Sequence, residues 1–279
     1  MDTTGTGDAL VSDVQGILLL GLLALLVNGL AYYMGFYRLP LRKNSPILFS
    51  QVAIVFAIYL SCSYVIPLIL SPLQRLMPIT AFFGWSQLIK SGAIAAMLYF
   101  YLRTVPGIRA IWKDSDSSIA RDFGMGVMTW FVSFPIVAVL GQLFDMLLNY
   151  FWKVGTYEQN AVQFLKLMTP SPVMLVIALI SILVAAPIIE EILFRGCLQS
   201  WLRRHLGTKA AILLTALCFA LFHFAASQSY GNLSIIVTLF GFSCFLGFIY
   251  EKQGSLYASI GLHMAFNTAS VLRIVLGME

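Results

Sequence analysis

The chain has 279 residues, of which 59% are hydrophobic and only 10% charged. A water-soluble domain carries about 25% charged residues, so the composition excludes an ordinary soluble fold and indicates an integral membrane protein. The net charge of +5 sits in interhelical loops rather than in a basic patch, which argues against a nucleic-acid partner and for the lipid bilayer.

A helix of about 20 mostly apolar residues spans a bilayer. Eight such windows occur, at about 16–37, 47–70, 79–102, 123–150, 173–202, 209–226, 234–250 and 255–276. Backbone polar groups in lipid must bond internally, which permits helices or closed barrels, and runs of this length exclude a barrel. The expected fold is therefore all-α, a polytopic transmembrane bundle of about eight helices.

The segment before the first window, MDTTGTGDALVSD, has no lysine or arginine. It lacks the basic start of a cleavable signal peptide, so the first helix is expected to be retained. The first, third, fifth and seventh interhelical loops carry eleven basic residues: Arg38, Arg42, Lys43, Arg103, Arg109, Lys113, Arg121, Arg203, Arg204, Lys209 and Lys252. The opposite side has four, Arg75, Lys153, Lys166 and Arg273. The positive-inside rule then places both termini on the non-cytoplasmic face. A bacterial plasma membrane and a eukaryotic endoplasmic reticulum membrane fit equally well.

Helices one to four contain few buried polar groups, Lys90 being the exception, and form with their loops an N-terminal region over 1–170. The stretch between helices four and five, KVGTYEQNAVQFLKLMTPSP, has some helical spacing and is expected to lie on the membrane surface. Pro170 and Pro172 stand where helix five begins, a favoured place for proline. Pro135 and Pro187 fall inside helices, where each removes a backbone hydrogen bond. The carbonyls freed near Pro187 are expected to help form a polar pocket. Region 171–279 is expected to be the catalytic transmembrane domain. No internal repeat is visible, which weighs against an inverted-repeat transporter. Cys62, Cys197, Cys218 and Cys244 lie in predicted helices with no CxxC pair, and are read as small apolar packing residues.

Helix five contains SILVAAPIIEEILFRGCLQSW, with Glu190, Glu191 and Arg195 inside an apolar run. One charge near the middle of a bilayer costs roughly 2.5–3.5 kcal/mol or more, so three within six positions require partners or a task. Glu191 and Arg195 are spaced i, i+4 and can pair across one turn. Glu190 points about 100° away from Glu191. Helix six places Phe219 and His223 on one face, and helix eight does the same with His263 and Asn267. At 1.5 Å per residue, Glu190, His223 and His263 lie roughly 20, 21 and 14 Å from the cytoplasmic ends of their helices, near the middle of the bilayer.

These residues resemble three motifs of the type II CAAX prenyl endopeptidase and bacteriocin-processing superfamily, called CPBP or Abi. EEILFR, from Glu190 to Arg195, resembles its EExxxR motif, and Gly196 follows as it often does there. FALFH, ending at His223, resembles FxxxH, and HMAFN, from His263 to Asn267, resembles HxxxN. The resemblance covers about 170–272. It implies an intramembrane endopeptidase in which Glu190 and His223 hold and activate a water. His263 and Asn267 would stabilise the oxyanion, with Glu191, Arg195 and Phe219 in support. It also implies a peptide or lipidated-protein substrate, in CAAX-type members a prenylated C-terminus.

The three residues Glu190, His223 and His263 would equally make a His₂Glu zinc site with water as fourth ligand, although the spacing is not HExxH. The resemblance favours glutamate-activated water with no metal or other cofactor. Two further readings use the same cavity. One is a non-catalytic immunity or scaffold member that binds membrane peptides. The other is a proton-coupled transporter, since intramembrane Glu and His also build proton relays.

Overall fold

The computed structural model describes residues 3–42, 47–113, 116–152, 160–228 and 230–276. Lys43 and Lys153, counted above for sidedness of charge, lie outside the described residues, as does 153–159 of the expected surface stretch. The described residues are helical with no strand, and one isolated bridge joins Lys113 to Ser255. The helices are α1 (Thr3–Tyr33), α2 (Phe49–Leu70), α3 (Ile79–Arg103), α4 (Arg109–Trp112), α5 (Ile119–Trp152), α6 (Asn160–Met168), α7 (Pro172–Ile180), α8 (Ala186–Glu191), α9 (Ser200–Phe222), α10 (Gly231–Gln253) and α11 (Leu256–Val275).

Among the described residues, five stretches are long and apolar enough to cross a membrane: Val11–Tyr33, Phe49–Arg75, Ile119–Trp152, Pro172–Phe222 and Gly231–Gln253. The fourth, of 51 residues, makes two passes. It reverses at Gly207, whose φ of 78° lies in the region only glycine enters without strain. With α3 and α11, which have 25 and 20 residues, the eight predicted passes are all present as helices. The protein is a multi-pass helical membrane bundle.

Polarity is arranged for lipid outside and polar groups within. Leu25 is 75% and Leu68 is 72% exposed, while Glu191 and Arg195 are fully buried. Exposed leucine at that density costs nothing against acyl chains, and buried polar groups find partners in the bundle. Of the surface stretch, α6 is seen: nine residues whose Leu165 and Met168 are buried, seated against α7 and α3. Ser171 caps α7 by accepting a hydrogen bond from the Met174 N–H, with Pro172 at the first turn.

α5 is the spine against which α1, α10 and α11 pack. Its approach to α11 depends on two glycines. A Cβ at Gly126 would lie 1.9 Å from the Ala258 carbonyl oxygen, and one at Gly261 would lie 2.4 Å from that of Phe123. Small residues that let backbones touch are the usual means of packing helices in lipid. This contact anchors α11, and with it His263 and Asn267. Gly126→Ala and Gly261→Ala are expected to destabilise the protein by about 1–3 kcal/mol through overpacking. Gly124→Ala, which would meet nothing within 4 Å, should leave stability unchanged. Thermal unfolding in detergent checks all three.

Candidate active site

The helix carrying the two glutamates is not a regular α-helix. π-helical turns at Ser181–Ala185 and Ile192–Gln199 flank α8. In a π turn each N–H reaches the carbonyl five residues back, as Ala186 N–H does to Ser181. The next rung would run from residue 187 to Ile182, but Pro187 has no N–H. The Ile182 carbonyl accepts instead from Asn267 Nδ2, at 2.9 Å. The proline thus docks α11 on this helix and uses one of the two amide protons of Asn267.

Glu191 and Glu190 face different partners. Glu191 is fully buried, and its Oε1 accepts from Arg195 Nη1 at 3.0 Å and from His263 Nδ1 at 2.8 Å. Arg195 Nη2 donates to the backbone carbonyl of Ser243 at 3.3 Å and also to its hydroxyl. The guanidinium carbon stands 4.6 Å from the centre of the Phe219 ring. Phe219 therefore supports the arginine as well as sharing a face with His223. Glu190 Oε2 lies 3.9 Å from His223 Nε2 and 3.8 Å from His263 Nε2. Residues 33 to 73 positions apart in the chain are brought together here.

The hydrogen bonds of the two rings define what they present to Glu190. His223 Nδ1 bonds to the Phe219 carbonyl at 2.8 Å, as His263 Nδ1 does to Glu191. Both acceptors lack a proton to give, so each Nδ1 carries one, and each neutral ring turns an Nε2 lone pair toward Glu190. Three acceptors around one space suit a water that donates both its protons and so becomes nucleophilic. They also suit a cation. A tetrahedral zinc site with bonds of about 2.1 Å sets ligand atoms about 3.4 Å apart, slightly closer than the separations here. Among the described residues no group of three or more His, Cys, Asp or Glu is close enough to hold a metal ion as it stands. A cleft of about 190 Å³, lined by Phe222, His223, Phe224, Ile235 and Asn160 among others, opens at His223. A larger apolar groove of about 380 Å³, near Lys209 and Cys244, includes none of the predicted site residues.

Below the glutamates a polar ladder joins two parallel segments. Arg195 bonds to Ser243. Gln199 Nε2 donates to the Gly247 carbonyl at 3.0 Å and to Glu251 Oε1 at 2.9 Å. Arg203 Nη1 meets Glu251 Oε2 at 2.7 Å, and Arg42 approaches the same oxygen at 3.5 Å. Each rung links residues at i, i+4 and i+8 on one segment with their counterparts on α10. Sequence reasoning missed Ser243, Gln199 and Glu251. The polar i, i+4 stripe Ser243, Gly247, Glu251 in an otherwise apolar helix was the signal available.

Fold and site thus define a multi-pass membrane protein with a carboxylate and two imidazoles enclosed among its helices. A family model described as Type II CAAX prenyl endopeptidase Rce1-like matches residues 172–269. That span contains every predicted site residue, and over it the chain is similar to this family, as the three motifs suggested. No curated protein and no solved structure matches the chain.

Removing the guanidinium would strand Glu191 without its cation. Arg195→Ala is expected to cost about 3–5 kcal/mol, the usual result of breaking a buried pair. Arg195→Lys should restore little, because an ammonium cannot bond Glu191 and Ser243 together and cover the Phe219 face. Chemical unfolding of the three proteins in detergent measures this, and equal stabilities would show that the pair is dispensable.

Proposed function

We propose that the protein is an intramembrane endopeptidase acting on a membrane-associated substrate, of the prenylated CAAX type that the family's description names. The observation that carries this reading is the convergence of Glu190 Oε2 with the Nε2 atoms of His223 and His263, at 3.9 and 3.8 Å. The family match over residues 172–269 supports it. In this reading region 171–279 is the catalytic part, the earlier helices frame it, and both termini face away from the cytoplasm.

Glu190 and His223 hold a water, and its oxygen attacks the scissile carbonyl carbon. The proton lost by the water goes to Glu190, and the carbonyl π electrons move to oxygen. His263 donates to that oxyanion from Nε2 when that nitrogen carries a proton. Asn267 donates its second amide proton. The intermediate collapses as the C–N bond breaks and the leaving nitrogen takes the proton from Glu190. Arg195 holds Glu191, and Glu191 holds the His263 ring. Preorganised donors of this kind are a large part of catalysis in a site that excludes water. The apolar surroundings also suit a substrate whose lipid chain remains in the bilayer.

No metal is needed in this scheme. The convergence of two imidazole lone pairs and a carboxylate is the observation that favours the zinc-bound alternative, with Glu190, His223 and His263 as ligands.

The test is cleavage of a fluorogenic farnesylated CAAX-type peptide by purified protein in detergent, with and without a zinc chelator. The parent is expected to cleave it in both conditions. Glu190→Ala and His223→Ala should be folded and inactive. Asn267→Ala should retain activity reduced about 10²–10³-fold in kcat, the usual cost of one oxyanion donor. Chelator-sensitive cleavage restored by zinc would make the three residues ligands. Full activity of Glu190→Ala would overturn the mechanism.

A further inference from the structure

His223 stands where α9 has just ended. Its φ and ψ of −92° and 3° are no longer helical. The N–H groups of His223 and Phe224 reach only three residues back, to Ala220 and Leu221, at 3.1 Å each. A last turn tightened in this way is the part of a helix that frays first. Yet the His223 ring must keep its Nδ1 on the Phe219 carbonyl, at 2.8 Å, if its Nε2 is to face Glu190. The direction of a side chain follows from its own backbone angles, and α9 fixes the chain on only one side of His223.

The other side is fixed from α10. Asn232, buried in the first turn of that helix, accepts from the Ala225 N–H at 2.9 Å and donates from Nδ2 to the Ala225 carbonyl at 2.7 Å. One side-chain amide thus bonds both backbone groups of one residue, and two bonds fix orientation as well as position. Ala225 lies two residues beyond His223. Phe224 and Gln228, on either side of it, line the cleft of about 190 Å³ together with His223. Backbone that gave way here would therefore move the histidine and the cleft wall together. We propose that Asn232 is a positioning residue for the hydrolysis: by clamping Ala225 to α10 it holds the end of α9 so that the His223 ring keeps its Nδ1 on Phe219 and its Nε2 toward Glu190. It transfers no proton. The role rests on the endopeptidase reading above, and none of the three motifs includes this residue. A clamp that merely satisfied two backbone groups would cost stability when lost and leave the ring as it is.

The chain has three histidines, His205, His223 and His263, so nitrogen-15 spectra of histidine-labelled protein in detergent report each ring, assigned through His205→Gln, His223→Gln and His263→Gln. In the parent, His223 should show the Nδ1–H tautomer. Asn232→Ala is expected to turn His223 alone into a mixture of Nδ1–H and Nε2–H tautomers and to leave His263 unchanged. With the farnesylated peptide as probe its kcat should fall about 10–100-fold, since misplacement by about 1 Å can cost 10²-fold. Asn232→Asp keeps an acceptor for the Ala225 N–H but loses the amide donor to its carbonyl. It should fall between the two, and it carries the test if Asn232→Ala does not fold. An unchanged His223 spectrum, a change shared with His263, or a kcat within twofold of the parent would overturn the proposal and leave the endopeptidase reading standing. If the folded parent cleaves no peptide, the endopeptidase reading fails and the catalytic role of Asn232 with it, while the spectra decide separately whether Asn232 sets the His223 ring.

Discussion

The buried pair of Glu191 and Arg195 is the constraint on which the other contacts depend. Two charges removed from water cost several kcal/mol each, and their attraction repays this only with further hydrogen bonds. Here those bonds come from other helices. Ser243 of α10 accepts from the guanidinium, His263 of α11 donates to the carboxylate, and the face of Phe219 of α9 covers the cation. Satisfying one ion pair therefore fixes the placement of three helices. It also orients the His263 ring, because its Nδ1 is committed to Glu191 and its Nε2 must then face Glu190.

The second constraint is backbone geometry. A regular α-helix through 181–199 would turn Glu190 and Glu191 by steps of 100° and bond every carbonyl internally. The two π-helical turns change that phase and free carbonyls, which is a frequent device at functional sites. Pro187 leaves Ile182 without its N–H partner, and Asn267 takes that place. A polar side chain on α11 is thereby held against the helix that carries the glutamates. Structural and chemical uses of Asn267 coexist, since its amide has two protons.

Toward the cytoplasmic side of the proposed orientation, the ladder of Arg195, Gln199 and Arg203 against Ser243, Gly247 and Glu251 sets the register of α10. In lipid, a slip of one residue would strand buried charges with no water to replace the lost bonds. Gly247 admits the Gln199 amide, which would stand 2.6 Å from an added Cβ. The glycine contacts of α5 with α11 act at a second point. Together they hold the imidazoles and Glu190 at separations that apolar packing alone, which has little directionality, would not specify.

Eight apolar windows were enough to read the helices, because the bilayer demands length and apolarity and permits nothing else to cross. The glutamates, Arg195 and the histidines were legible because an ionisable residue in such a window is anomalous, and the i, i+4 relation of Glu191 and Arg195 is local. The reversal at Gly207 and the π-helical turns were not legible, since each depends on where neighbouring helices press. The i, i+4 pairing of Glu191 with Arg195 singled out Glu190, but the bond from Glu191 to the His263 ring was not legible. By itself the sequence determined a multi-pass helical bundle and the residue types of its polar centre, because hydrophobicity and charge are properties of each residue. Only the tertiary structure decided which of those groups face one another. Hydrogen bonds and ion pairs act over about 3 Å, and segments 50 residues apart reach that distance only through packing.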